Sequence, residues 1–205
     1  MPPAQSFEME RETALRNRCY PPGKIFRIPS RWIITEKFWS RGDMTIKDQW
    51  GNKVFKAVGG LCARRKLSFV DLRTGQNVAN IKERFLSWNI RYDIFVDGSH
   101  FGSVKENDGC CGTNYCIKSI LDTITVIGDC ADSSFEFCRG NKVIAEMHKR
   151  PLTFTDTYAV GIRPEEDVVF ILACCVAIDK CVDKKEERRK RQQNSATGFN
   201  DSSRS

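Results

Sequence analysis

The stretch Pro164-Glu-Glu-Asp-Val-Val-Phe-Ile-Leu-Ala-Cys-Cys-Val-Ala-Ile178 decides the fold. From Val168 to Ile178 it runs through 11 residues with no polar side chain on any helical face, so a helix made from it must be enclosed on all sides. Crossing a bilayer as a helix takes roughly 20 such residues. Here Asp179, Lys180 and Asp183 follow almost at once, and the stretch is too short to span. Pro164 suits a first helical position, and Glu165, Glu166 and Asp167 suit the positive end of a helix dipole. A helix is therefore expected over Pro164 to Val182.

Upstream the period changes from helical to alternating. Tyr92, Ile94 and Val96 fall on one face of a strand, with Asp93 and Phe95 on the other. The turns between such strands resemble one another: Asp48-Gln-Trp-Gly-Asn-Lys-Val54, Asp71-Leu-Arg-Thr-Gly-Gln-Asn-Val78, Asp97-Gly-Ser-His100 and Arg139-Gly-Asn-Lys-Val143. Glycine reaches positive φ without steric cost, and Asp or Asn bonds the local backbone. Gly51, Gly75 and Gly98 are spaced 24 and 23 residues apart, a strand-turn-strand period too short for a propeller blade. The pattern predicts a mainly β fold, a closed antiparallel barrel around a central hydrophobic C-terminal helix.

The chain has 205 residues, 40% hydrophobic and 29% charged, which is the composition of one globular domain with tails. Residues 1–23, with Pro2, Pro3, Pro21, Pro22 and Gly23, read as a flexible leader, 24–183 as the barrel domain and 184–205 as a basic, disordered tail. The first twenty residues carry Glu8, Glu10, Arg11, Glu12, Arg16 and Arg18 and no apolar core, so no secretory signal is read and a cytoplasmic, monomeric protein is expected. Of the net charge of +7, the tail holds +4 and the body +3. So balanced a body argues against a duplex-DNA face, and nucleic acid is not an expected partner.

Ten cysteines in a chain that can build its own core and shows no export signal are expected to be reduced. Cys174 and Cys175 lie inside the apolar helix and read as core. Cys110-Cys-Gly-Thr-Asn-Tyr-Cys116, with Cys130 and Cys138, offers thiolates for zinc at a poor spacing. Acylation of Cys110 and Cys111 and a plain loop are the other readings. His100 and His148 stand in no catalytic motif, and no phosphate-binding glycine loop occurs. No metal and no cofactor is expected.

Two basic clusters remain. Lys184-Lys-Glu-Glu-Arg-Arg-Lys-Arg191 follows the helix, and Glu186 with Lys190 and Glu187 with Arg191 have the i,i+4 order of a solvated helical extension. The same cations, Lys184, Lys185, Arg188, Arg189, Lys190 and Arg191, also suit anionic lipid at the inner membrane face or a nuclear-import patch. Arg64, Arg65 and Lys66 lead into a strand and are read as a rim cluster.

Asp156-Thr-Tyr-Ala-Val-Gly-Ile162, the acidic start, the apolar helix and Ala177-Ile-Asp-Lys180 together resemble the C-terminal signature of the LURP-one-related family. Glu36-Lys-Phe-Trp-Ser40, Thr45-Ile-Lys-Asp48, Asn52-Lys-Val-Phe55, Lys66-Leu-Ser-Phe-Val-Asp71 and Lys82-Glu-Arg-Phe-Leu-Ser-Trp88 agree in order and spacing, so the resemblance covers about residues 24 to 182. Ala159 stands where a glycine is expected, and the cysteine-rich stretch has no counterpart. The resemblance implies a twelve-stranded barrel similar to the tubby C-terminal domain, with phospholipid scramblases among its relatives. It implies a non-enzymatic binding domain for acidic phospholipid, a phosphoinositide headgroup or a protein partner. The alternatives are a scramblase-like membrane protein or an enzyme with a dispersed site.

Overall fold

The computed structural model describes residues 30–37, 42–59, 66–84, 89–107, 114–129, 133–151, 153 and 155–201, with side chains as far as Gln193. Twelve strands follow one another: β1 (Ser30–Glu36), β2 (Met44–Lys47), β3 (Lys53–Gly59), β4 (Lys66–Asp71), β5 (Asn77–Glu83), β6 (Arg91–Val96), β7 (Ser99–Asn107), β8 (Asn114–Ser119), β9 (Thr123–Gly128), β10 (Ser134–Arg139), β11 (Lys142–Lys149) and β12 (Thr157–Ile162). Each pairs antiparallel with the next, and β12 returns to β1, so the sheet closes into the expected barrel. The helix α1 (Val168–Asp201) follows.

The turn chemistry holds. Gly51, Gly75, Gly98 and Gly140 all have positive φ. The two-residue turn between β6 and β7 puts both Asp97 (φ 50°) and Gly98 (φ 77°) there, the pairing that matches the twist of a tight hairpin.

Because the strands alternate in direction, the hairpin turns around residues 48–52, 71–76, 97–98, 119–122 and 140–141 lie at one end of the barrel. The link from β12 to α1 lies there too. The helix enters at this end, antiparallel to β12, and leaves at the other. It packs most closely on β5, β6 and β7, and Ile171 to Ile178 are each at most 1% exposed. Phe170 packs on Phe101 with ring centroids 4.7 Å apart. Gly102 lies beneath that ring, where an added Cβ would stand 2.9 Å from the Lys118 carbonyl oxygen. Cys174, Cys175 and Cys181 are buried and free, and burial pushes all three thiols up.

Two expectations change. The helix starts at Val168, not Pro164: Asp167 caps it, its Oδ1 accepting from Phe170 N at 2.9 Å, while Pro164 and Glu165 form the preceding turn. Glu166 is instead committed to Arg139, whose Nη1 and Nη2 donate to it at 2.6 and 2.8 Å. The helix also runs past Val182 to Asp201, so the tail taken as disordered from residue 184 is helical there. Lys, Glu, Arg and Gln favour a helix intrinsically, and from 183 to 197 neither Gly nor Pro interrupts them. The leader 1–23 lies outside the described residues.

Candidate functional site

Where the helix leaves the barrel, charge is buried. Asp179 and Lys180 are 1% and 3% exposed. Lys180 Nζ lies 3.2 Å from Glu36 Oε1, 3.0 Å from Asp179 Oδ2 and 2.9 Å from Asp183 Oδ2. Burial opposes its charge, but these carboxylates outweigh it and lift its pKa above the ordinary lysine value. Burial also raises the Asp179 carboxyl, to about 6, against the pull of Lys180. Oxygens of Asp156, Asp179 and Asp183 lie within 4.8 Å of one another. Lys149 Nζ stands 2.8 Å from Asp156, so ammonium groups of the chain itself balance much of this charge. The cluster locks the helix in register against β1 and β12.

One turn further on, the helix leans on the rim. Lys184 pairs with Glu83 at the end of β5 and lies 5.8 Å from the Tyr92 ring centroid. Lys185 stands 3.6 Å from Glu106 of β7. Two of the cations assigned to lipid are therefore half-buried and already matched to barrel carboxylates. Arg188, Arg189, Lys190 and Arg191 are exposed, with Lys190 4.0 Å from Glu186.

The side of the barrel below this rim carries a feature that the linear sequence hides. The register sets Lys66 of β4 directly opposite Lys82 of β5. Lys82 faces Asp93 of β6, which faces Ser103 of β7, which faces Lys118 of β8. One step toward the exit end, Arg91 faces Lys105. All of these point outward, since their strand neighbours Leu67, Ile81, Tyr92, Val104 and Ile117 are core. Asp93 is the only acid among the described outward residues of β3–β8. It is held by Arg84 and Arg91 at 3.2 Å and His100 at 3.6 Å. Lys82 Nζ lies 4.4 Å from the Phe95 ring centroid. Like charges directly opposed on neighbouring strands destabilise a sheet, by roughly 0.2–1 kcal/mol a pair.

Of the sequence-derived residues, Lys66 belongs to this wall, and Lys184, Lys185, Arg188 and Arg189 rise above its upper edge. Arg64, Arg65, Cys110 and Cys111 lie outside the described residues, as does Cys130. Arg84, Arg91, Lys82, Lys105 and Lys118 were missed. Their signal was the i,i+2 spacing of Lys82 with Arg84, but their convergence needs the register. Cys116 and Cys138 flank Thr125 across two strand steps, roughly 10 Å, which is beyond the reach of a disulfide or a shared zinc ion. Both are free.

The sequence model of the LURP-one-related family matches residues 30–179. The X-ray structure of a protein from Arabidopsis thaliana is similar, with a TM-score of 0.56 and 22% identity over 75% of this chain and 91% of that one; at that identity the likeness concerns the fold. No curated protein matches. With the matched residues running from the first strand through the barrel into the buried helix, the chain belongs to the LURP-one-related family.

Proposed function

We propose that the domain is a non-enzymatic binding module whose ligand is the phosphorylated headgroup of an anionic lipid, held on the β4–β8 wall. The observation that carries this reading is the pairing of like charges, Lys66 with Lys82 and Arg91 with Lys105, around a single acid. Folding gains nothing from either pair. A phosphate between two such cations turns their repulsion into charge-assisted hydrogen bonds. The exposed Arg188 and Arg189 extend the same field beyond the rim, each cation near an anionic surface adding about 1 kcal/mol. A protein partner with an acidic segment is the second ligand class such a wall accepts.

Scramblase-like action has less support. The apolar part of α1 is enclosed by the barrel, and no helix among the described residues is long and apolar enough to cross a membrane.

The test is sedimentation with vesicles of phosphatidylcholine alone or with added phosphoinositide, for the full chain and for Lys66→Glu with Lys82→Glu. Phosphoinositide-dependent binding that salt weakens and the double variant loses supports the reading. Added phosphoinositide that fails to strengthen binding at subsaturating lipid refutes it, and inhibition by free inositol phosphate tells headgroup recognition from general attraction to the surface.

A further inference from the structure

The described residues expose five large hydrophobic side chains, and four of them lie at one end of the barrel. Trp50 is 71% exposed, Leu72 43%, Ile120 54% and Leu121 52%; Ile127, on the outer face of β9, is the fifth. Trp50 lies on the β2–β3 turn, Leu72 on the β4–β5 turn, and Ile120 and Leu121 on the β8–β9 turn. All three turns stand at the helix-entry end, opposite the charged rim where α1 emerges.

Scattered apolar residues on a surface are ordinary. These differ in two respects. The first is their arrangement. The β2–β3 and β8–β9 turns are six strands apart in a ring of twelve, so Trp50 and Ile120 stand on opposite sides of a barrel roughly 24 Å across. Leu72 lies between them on the rim. A groove or a single protruding chain cannot reach all of these tips, whereas a flat, soft surface can.

The second is the state of their backbones. Trp50 N donates to Asp48 Oδ1 at 3.0 Å, and Leu72 N to the Val54 carbonyl at 2.8 Å. Ile120 N donates to the Phe101 carbonyl at 2.9 Å, and Leu121 N to Ser119 Oγ at 3.2 Å. Each apolar tip thus has its own amide satisfied from within the fold. Immersing the tips in an apolar medium strands none of these four backbone donors, each of which would otherwise cost several kcal/mol in hydrocarbon.

Cations flank the tips: Lys53 beside Trp50, Arg73 beside Leu72 and Lys118 beside Ile120, all exposed. Acids of the same turns, Asp48, Asp71 and Asp122, oppose them. An aromatic and several aliphatic tips, ringed by long cations and close to neutral as a set, match the boundary between headgroups and acyl chains.

We propose that the helix-entry end is a membrane-seating face, which dips Trp50, Leu72, Ile120 and Leu121 into the interface of a bilayer. It acts by apolar burial and does not depend on anionic lipid, so it is separable from the basic wall, with which it shares only Lys118. Seated this way, the barrel directs the emergent helix, with Arg188 and Arg189, away from the bilayer, so this seating and attachment through the wall and the helix are two separate orientations of the domain.

The experiment uses the full chain with vesicles of phosphatidylcholine alone in about 1 M salt, where the Debye length is about 3 Å and attraction through the wall is screened. The wild type is expected to sediment with the vesicles. Brominated acyl chains should quench its tryptophan fluorescence, and Trp50→Phe should abolish that quenching. The triple variant Trp50→Ser, Leu72→Ser and Leu121→Ser should lose about tenfold or more in partitioning with an unchanged melting temperature, while Lys66→Glu with Lys82→Glu binds these neutral vesicles as the wild type does. A wild type that stays in the supernatant, or a triple variant that binds equally, overturns the proposal. So does light scattering in which the triple substitution only abolishes self-association, since that assigns the face to a second copy.

Discussion

Replacing Asp179 by Asn should stabilise the protein at neutral pH. The carboxyl is buried among Lys180, Asp183 and Tyr158, and neither of its oxygens accepts a well-formed hydrogen bond, although Lys180 Nζ is 3.0 Å away. Burial raises it from 3.8 to about 6. Because the folded value exceeds the unfolded one, its contribution to stability is fully present below pH 3.8 and is lost as pH rises through about 6. The ionised group therefore costs roughly 3 kcal/mol at pH 7. Asn fills the same volume without the charge, and Lys180 keeps Glu36 and Asp183 as partners. Urea unfolding of wild type and Asp179→Asn should give a variant more stable by about 2–3 kcal/mol at pH 7.5, with the difference vanishing near pH 3.5. Asp48, Asp71 and Glu165 have lowered values, so their effect on pH dependence has the opposite sign and is common to both proteins. A variant less stable than wild type at pH 7.5 would show that the Asp179–Lys180 pair outweighs the burial of the carboxylate, and would refute the reasoning.

Three further outcomes are expected. Phe170→Ala should cost about 3–5 kcal/mol, because it opens a cavity between Phe101 and Gly102 where the helix enters; an unchanged melting temperature contradicts an enclosed helix. Under native conditions an alkylating reagent should modify Cys116 and Cys138, which are half-buried, and leave Cys174, Cys175 and Cys181 untouched until the protein unfolds; mass spectrometry after brief labelling reads this directly. Ending the chain after Lys185 should leave stability nearly unchanged, whereas ending it after Asp183 removes the partners of Glu83 and Glu106 and should lower stability by about 1–2 kcal/mol; thermal melts of the two truncations decide.

The barrel was legible because two signals were unambiguous. Eleven apolar residues with no polar face leave a helix nowhere to go but inside, and turn glycines that recur with Asp or Asn nearby mark hairpins. The start of the helix was misjudged because Pro164, Glu165 and Glu166 look like a first turn, yet Glu166 answers a distant residue, Arg139, across 27 positions. The basic residues were legible only where they run together. Lys184 and Lys185 looked free in the sequence and are matched by Glu83 and Glu106. Lys66, Lys82, Arg91, Lys105 and Lys118 looked unrelated and share one wall, since strand register, which no local pattern states, brings them side by side.

The central claim is that this wall binds a phosphorylated anion. Titrating the isotope-labelled full chain with water-soluble inositol trisphosphate, and following amide shifts by NMR, tests it most directly. The account predicts saturable shifts concentrated on β4–β7, at Lys66, Lys82, Arg91, Asp93 and Lys105, that vanish in Lys66→Glu with Lys82→Glu. Shifts confined to the helical segment around Arg188 and Arg189, or no shifts at all, would contradict it.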